Sequence, residues 1–330
     1  MKVEKVEKII INNEIDFLLI KFPIIFPLIY VFVLYAFPKF ENLLVLLTLI
    51  LLAETHFGAT WPFFLNKVNH ENILKQKTIY IAIPLLIIVY SLFGFFYFNS
   101  FYLLLFFAVN VFHVARQSYG VCNIYSDNKQ EAKFQEFLIY FFNFVFFAVA
   151  IFRWYIPILG EDNILLLNIV AITSITFTSI FYILKFGFSN KFLTFLTGII
   201  LFYPMCFAAK PIHGILMGAG MHYAQYIVLT YKVTLERKME NKSLKESGFS
   251  GYSNVSFFLI IISYGLIMGL MSLTKGLEDQ MFKNLIIIPL IGQLLHFYLD
   301  AVLWRFRDSH NRKVTLRHLF PSNLEKTYHK

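Results

Sequence analysis

Charge is scarce in this chain. Asp, Glu, Lys and Arg make up 15% of its 330 residues, while 58% are hydrophobic. Soluble domains carry about a quarter charged residues and must present a polar surface to water. The deficit therefore excludes an ordinary water-soluble globule. Cysteine is scarcer still: Cys122 and Cys206 fall near opposite ends of different expected helices, so no disulfide is expected. Nothing points to an oxidising compartment. Also lacking are an internal repeat, a Pro/Gly-rich linker and a small-residue cleavage site before the first long apolar run. The opening MKVEKVEKIIINNEIDF thus reads as an amphipathic lead-in lying on a membrane surface rather than a removed signal.

What the chain has is long apolar runs, rich in its 40 Phe. A spanning helix needs about 20 mostly apolar residues, and the runs predict ten of them: 15–36, 42–65, 77–98, 100–119, 134–152, 163–187, 192–209, 211–232, 254–274 and 282–304. The expected fold is an all-α, polytopic membrane bundle forming a single domain. It comprises the lead-in 1–14, the bundle 15–304 and a basic cytoplasmic tail 305–330. Helices three and four, and seven and eight, are joined by very short links and should be antiparallel neighbours. The longer connections 66–76, 120–133 and 233–253 are polar. Pro62 and Pro204 are placed to interrupt helices.

The Lys and Arg residues test this count. With the N-terminus inside, 22 fall on the cytoplasmic side and five outside: Lys39, Arg153, Lys210, Lys275 and Lys283. Lys21 and Arg116 are left within helices, assigned to neither side. Such asymmetry is the positive-inside signal, and it puts both termini in the cytoplasm of a bacterial or archaeal cytoplasmic (inner) membrane. The net charge of +9 is then spent on topology and on lipid head groups; no nucleic-acid partner is expected.

Ionisable groups inside spanning helices are costly and mark function by default. They concentrate in four helices here. The second carries Glu54 and His56, and the fourth Asn110, His113, Arg116 and Gln117. The eighth carries His213, His222 and Gln225, and the tenth Gln293, His296 and Asp300. All four run from outside to inside. His56, His113, His222 and His296 lie 14, 13, 11 and about 14 residues from their outer ends, a layer roughly 5 Å thick at a 1.5 Å rise per residue. Any one buried histidine is ordinarily a hydrogen-bonded packing residue. Four at one depth are the expected ligands of a metal ion.

Helical phase groups the neighbours. Asn110, His113 and Gln117 form one stripe, flanked by Arg116. His222, Gln225 and Tyr226 form a second, and Gln293, His296 and Asp300 a third. Asp300, one turn cytoplasmic of His296, is a further ligand or an orienting partner. Glu54 and His56 diverge by about 160° on an α-helix, so one of them is expected to have another task, such as neutralising Arg116. His213 faces away from His222 and is set aside. His310, His318 and His329 in the tail are expected to be solvated, and Gly218 and Gly220 to mark a close helix contact.

Imidazole and carboxylate donors together suit iron, zinc or manganese, and iron with open positions suits oxygen chemistry. The expected activity is that of an oxidoreductase, with Fe(II) favoured over haem, on a lipid or isoprenoid entering from the bilayer. Tyr223, Tyr226 or Gln225 would contact substrate or oxygen, and Arg116 a polar substrate end. Two other readings stand beside it: a membrane transferase using one buried histidine as base, and a proton-coupled transporter relaying through Glu54, Asp300 and the histidines.

No two histidines lie within five residues of each other, so the HxxxH and HxxHH boxes of desaturases and lipid hydroxylases are absent. His56-Phe57-Gly58, His113-x-x-Arg116 and His296 with Asp300 four residues on are closer to the Brp/Blh membrane carotenoid dioxygenases. The chain resembles that family in short patches only. The resemblance implies an all-helical protein with single histidines on separate helices around iron, and carotenoid cleavage as one substrate class. The family's Pro-His-Gly motif is missing, and Gln117 stands where a histidine would follow the arginine.

Overall fold

A computed structural model describes residues 9–64, 67–125, 129–243, 254–274 and 283–319. The described residues contain helices and no strand. In chain order the helices are α1 (Asn13–Lys21), α2 (Ile25–Ala36), α3 (Pro38–Phe64), α4 (Lys67–Lys75), α5 (Thr78–Tyr97), α6 (Asn99–Tyr125), α7 (Lys129–Tyr155), α8 (Glu161–Phe186), α9 (Asn190–Cys206), α10 (Pro211–Ser243), α11 (Asn254–Leu273), α12 (Asn284–Leu303) and the short α13 (Ser309–Val314).

Seven helices among the described residues are long and apolar enough to cross a membrane, or up to eight if α1 and α2, bent by 62°, make one span. Their outer faces are apolar: Leu184 is 82% exposed and Phe177 72%. Apolar area on that scale needs a hydrocarbon solvent. All ten expected segments are helical, but α9 is a shorter apolar helix and α10 is not among the seven. The polar connections differ more. Segment 66–76 is largely the helix α4, α6 runs on to Tyr125, and α10 continues to Ser243. Lys, Glu and Arg are good helix formers, so a helix leaving the apolar layer has no reason to stop there. The first eight residues of the lead-in, and His329, lie outside the described residues.

Irregular turns place the core. Pro23 lies in the bend between α1 and α2, where the released carbonyls of Ile20 and Lys21 accept from Gln225 Nε2 (2.6 Å) and Thr197 Oγ1 (2.9 Å). Such capping satisfies helix-end groups that would otherwise be buried unpaired. In α3 the residues Leu49–Glu54 form a π turn. The Thr55 hydroxyl donates to the Ile50 carbonyl at 2.5 Å, and Gly265 of α11 lies against both. A Cβ on Gly265 would stand 2.5 Å from that carbonyl oxygen and 2.6 Å from the hydroxyl. Gly218 similarly meets the Leu201 carbonyl, whereas Gly220 makes only an ordinary contact. Pro62 follows the turn at Ala59 and Thr60, and Pro204 sits in a 3-10 turn, so both do break helical continuity.

The helix α10 is central, packing against α1, α2, α3, α6, α11 and the C-terminal segment. The helix α12 packs against α3, α5, α6 and α11. Helices α3 and α6 therefore each adjoin both α10 and α12. Cys122 and Cys206 are buried free thiols.

Part of the tail is docked rather than solvated. Arg237 donates to the Val314 carbonyl (2.5 Å) and the Thr315 hydroxyl (3.1 Å). Asn311 donates to the Val302 carbonyl (2.7 Å), and His318 is buried, against expectation. Burial brings the Arg237 guanidinium down to about 9, and burial beside Arg237 and Arg317 brings the His318 imidazole down to about 3. An unfolded histidine titrates near ~6.5, so the undocked tail binds the extra proton first. Docking is accordingly complete above about pH 6.5 and weakens as pH falls toward the folded value. Limited proteolysis should cut the tail faster on acidification, and His318→Gln should flatten that dependence. Separately, Gly265→Ala should cost about 1–3 kcal/mol by overpacking, read as a lower unfolding temperature in detergent, while Gly220→Ala should be near neutral.

Candidate metal centre

Each helix of the inner quartet delivers one imidazole: His56 from α3, His113 from α6, His222 from α10 and His296 from α12. All four are buried. The His56 ring lies 4.5 Å from His296, 4.8 Å from His222 and 6.4 Å from His113, centroid to centroid. His113 lies 4.9 Å from His296 and 5.4 Å from His222. The common depth thus becomes a common place. The π turn that ends at Glu54, two residues before His56, puts more residues into each turn of this stretch of α3 than the regular helix assumed from sequence.

The ligating atoms fall into two overlapping sets. Those of His56, His113 and His222 lie within 4.8 Å of one another, as do those of His113, His296 and Asp300. Donors at about 2.1 Å from one ion stand roughly 3–4 Å apart, so small side-chain rotations close either set. His113 Nε2 and His296 Nε2 already face each other at 3.2 Å.

The surroundings orient these atoms. His296 Nδ1 meets the Thr60 hydroxyl at 2.6 Å, and Thr60 meets the Tyr226 hydroxyl at 2.9 Å. An imidazole that donates through Nδ1 turns the Nε2 lone pair inward, the usual arrangement of a metal-bound histidine. Gln117 Nε2 donates to Asp300 Oδ2, leaving Asp300 Oδ1 without a partner. Both nitrogens of His56, Nε2 of His222 and Oε2 of Glu54 are buried without partners as well. An unsatisfied buried polar atom costs about 1–3 kcal/mol. A cation in either set would satisfy one atom on each of its three side chains, so each set fits a metal ion.

Other expected residues have different places. Glu54 Oε1 accepts from Gln293 Nε2 at 2.8 Å. Glu54 therefore does not pair with Arg116, which has no hydrogen-bond or ion-pair partner among the described residues. The Tyr223 ring lies 4.9 Å from that of His56, tilted by 36°. Asn110 is buried one turn before His113. Gln225 caps α1 through Nε2 and keeps Oε1 unpartnered. His213 is satisfied near the start of α10 by Tyr30 (2.8 Å) and Glu41 (3.1 Å). Sequence reasoning missed Thr60, whose signal was its place four residues after His56, on the same helix face.

A cavity of about 620 Å³ borders the centre. His113, Asp300, Gln117, Gln225 and Tyr226 line its inner end, and Phe112, Phe297, Trp304, Tyr90 and Arg116 line much of the rest. Comparisons with protein-family models, curated proteins and solved structures return no match. Thr60→Val should leave His296 and Tyr226 short of a partner and cost about 1–3 kcal/mol, whereas Thr60→Ser should be tolerated. Equal unfolding temperatures for the valine variant and the parent would remove Thr60 from this account.

Proposed function

We propose that the chain is a membrane-embedded, metal-dependent oxidoreductase of the oxygenase type, acting on a lipid or isoprenoid substrate. The observation that carries this reading is the convergence of four buried imidazoles and Asp300, with unpartnered donor atoms, at the end of an apolar cavity. Bundles build metal sites in their cores this way, and a histidine–carboxylate set with open positions suits ferrous iron. Haem is the less favoured cofactor. A transferase base needs one histidine and leaves three unexplained. A transporter is disfavoured by the lack of an internal repeat.

In this reading His56, His113, His222, His296 and Asp300 hold the metal. Fe(II) there would supply dioxygen chemistry to the bound substrate. Thr60 fixes the His296 tautomer and Gln117 holds one Asp300 oxygen, so the other points to the ion. Phe297, 4.6 Å from the His113 ring, and Phe57, 5.1 Å from His296, exclude water. Tyr226 and Tyr223 border the substrate. We place the centre in the cytoplasmic half of a ten-span bundle with both termini inside, in the cytoplasmic membrane of a bacterium or archaeon. The patchy resemblance to the Brp/Blh dioxygenases supports iron and makes carotenoid-like isoprenoids one substrate class.

Purified protein should carry near-stoichiometric iron by elemental analysis and show no Soret band. His113→Ala combined with His222→Ala should lose the metal. Metal at a hundred times its Kd adds about 2.7 kcal/mol of stability, so chelation should lower the unfolding temperature of the parent and not of the double variant. A Soret band would move the case to haem. Full folding without any metal, in parent and double variant alike, would sink the metal reading.

A further inference from the structure

Among the described residues, Arg116 is the one Lys or Arg side chain on the wall of the cavity beside the centre, which also carries Asp300 and is otherwise largely apolar. Phe112, Arg116, Gly120 and Asn123 are spaced by three or four residues and form one exposed stripe of α6 along the cavity. That stripe opens toward the lipid-facing side of the bundle. Arg116 lies inside the expected span 100–119, three residues from its end, and its side chain is exposed. A lipid-facing guanidinium there is expensive. Its charge acts on His113, Asp300 and Tyr140 through space, without a hydrogen bond, and the Asp300 carboxylate is engaged by Gln117. The guanidinium fork suits bidentate carboxylate or phosphate groups.

We propose that this cavity takes a single-chain amphiphile with an anionic head, a carboxylate or phosphate monoester, held by Arg116. The chain then lies along Phe112, Tyr90 and Phe297. Arg116 and His113 are three residues apart on one helix, with Cβ atoms about 5–6 Å apart. The carbon presented to His113 and Asp300 is therefore close to the head rather than at the far end of the tail. The inference rests on the cavity described under the proposed function, yet head-group binding at Arg116 requires no metal.

The test is displacement of cis-parinarate from the full chain in phosphatidylcholine nanodiscs, at about pH 8 where carboxylates are ionised. Oleate or oleyl phosphate should displace the probe at about tenfold lower concentration than methyl oleate, the scale of one charge-assisted contact. Which of the two acids displaces better identifies the head. Arg116→Gln should abolish the difference and leave the methyl oleate midpoint unchanged. Arg116→Lys, which keeps the charge but not the fork, should retain part of it. Ala301→Trp, which fills the cavity, should abolish displacement by acid and ester alike. The acid preference should survive chelation, and it stands even if the protein binds no iron. Loss of the preference on chelation would place the head on the metal and overturn the proposal. So would an unchanged preference in Arg116→Gln. Equal displacement by dioleoyl phosphatidylglycerol would assign Arg116 to bulk lipid head groups and overturn it equally.

Discussion

Desolvation of six polar side chains governs the interior of this bundle. His56, His113, His222, His296, Glu54 and Asp300 are all buried, in a region where an unpaired polar group has no water to turn to. Several irregularities of the fold serve that constraint. The break between α1 and α2 is capped by Gln225 and Thr197, and Thr60 couples His296 to Tyr226. Gln293 and Gln117 each neutral-cap one carboxylate oxygen. Among the described residues, the unpartnered atoms of His56, His222, Glu54 and Asp300 surround the imidazoles, while others, such as those of Tyr102 and Gln135, lie elsewhere in the core.

Much of this was legible in the sequence because depth along a helix is a matter of counting. Residue number and a 1.5 Å rise put the four histidines in one layer, given the shared helix direction that charge asymmetry leads one to expect. Mutual facing was not legible, because it depends on which helices adjoin, and adjacency of α3 and α6 to both α10 and α12 is a tertiary fact. The fate of Glu54 was misjudged for a local reason. Its partner is Gln293 on α12, and the π turn Leu49–Glu54 changes the phase on which a regular-helix argument relies. Thr60 went unnoticed because hydroxyls carry no charge and no pattern of their own.

Polar connections were misjudged in the opposite direction. Hydropathy marks where a helix leaves hydrocarbon, not where its hydrogen bonding ends. So α10 continues well past its apolar part to Ser243, and Arg237 on that extension reaches the tail. His318 looked solvated because its neighbours in sequence are charged. It is buried because Arg237 and Asn311 draw the tail against the bundle.

That docked tail has a bearing on the cavity. Phe306 and Leu316, both beyond the last spanning helix, are among the residues lining the chamber beside the centre. The chamber thus has walls of transmembrane helix and a floor built from the aqueous side of the protein. Shorten the chain after Trp304 and the floor is gone: a chamber closed at that end by the tail becomes an open vestibule. Enclosure is therefore a task divided between the helices of the bundle and the segment that follows them, and that segment is the plug of the vessel.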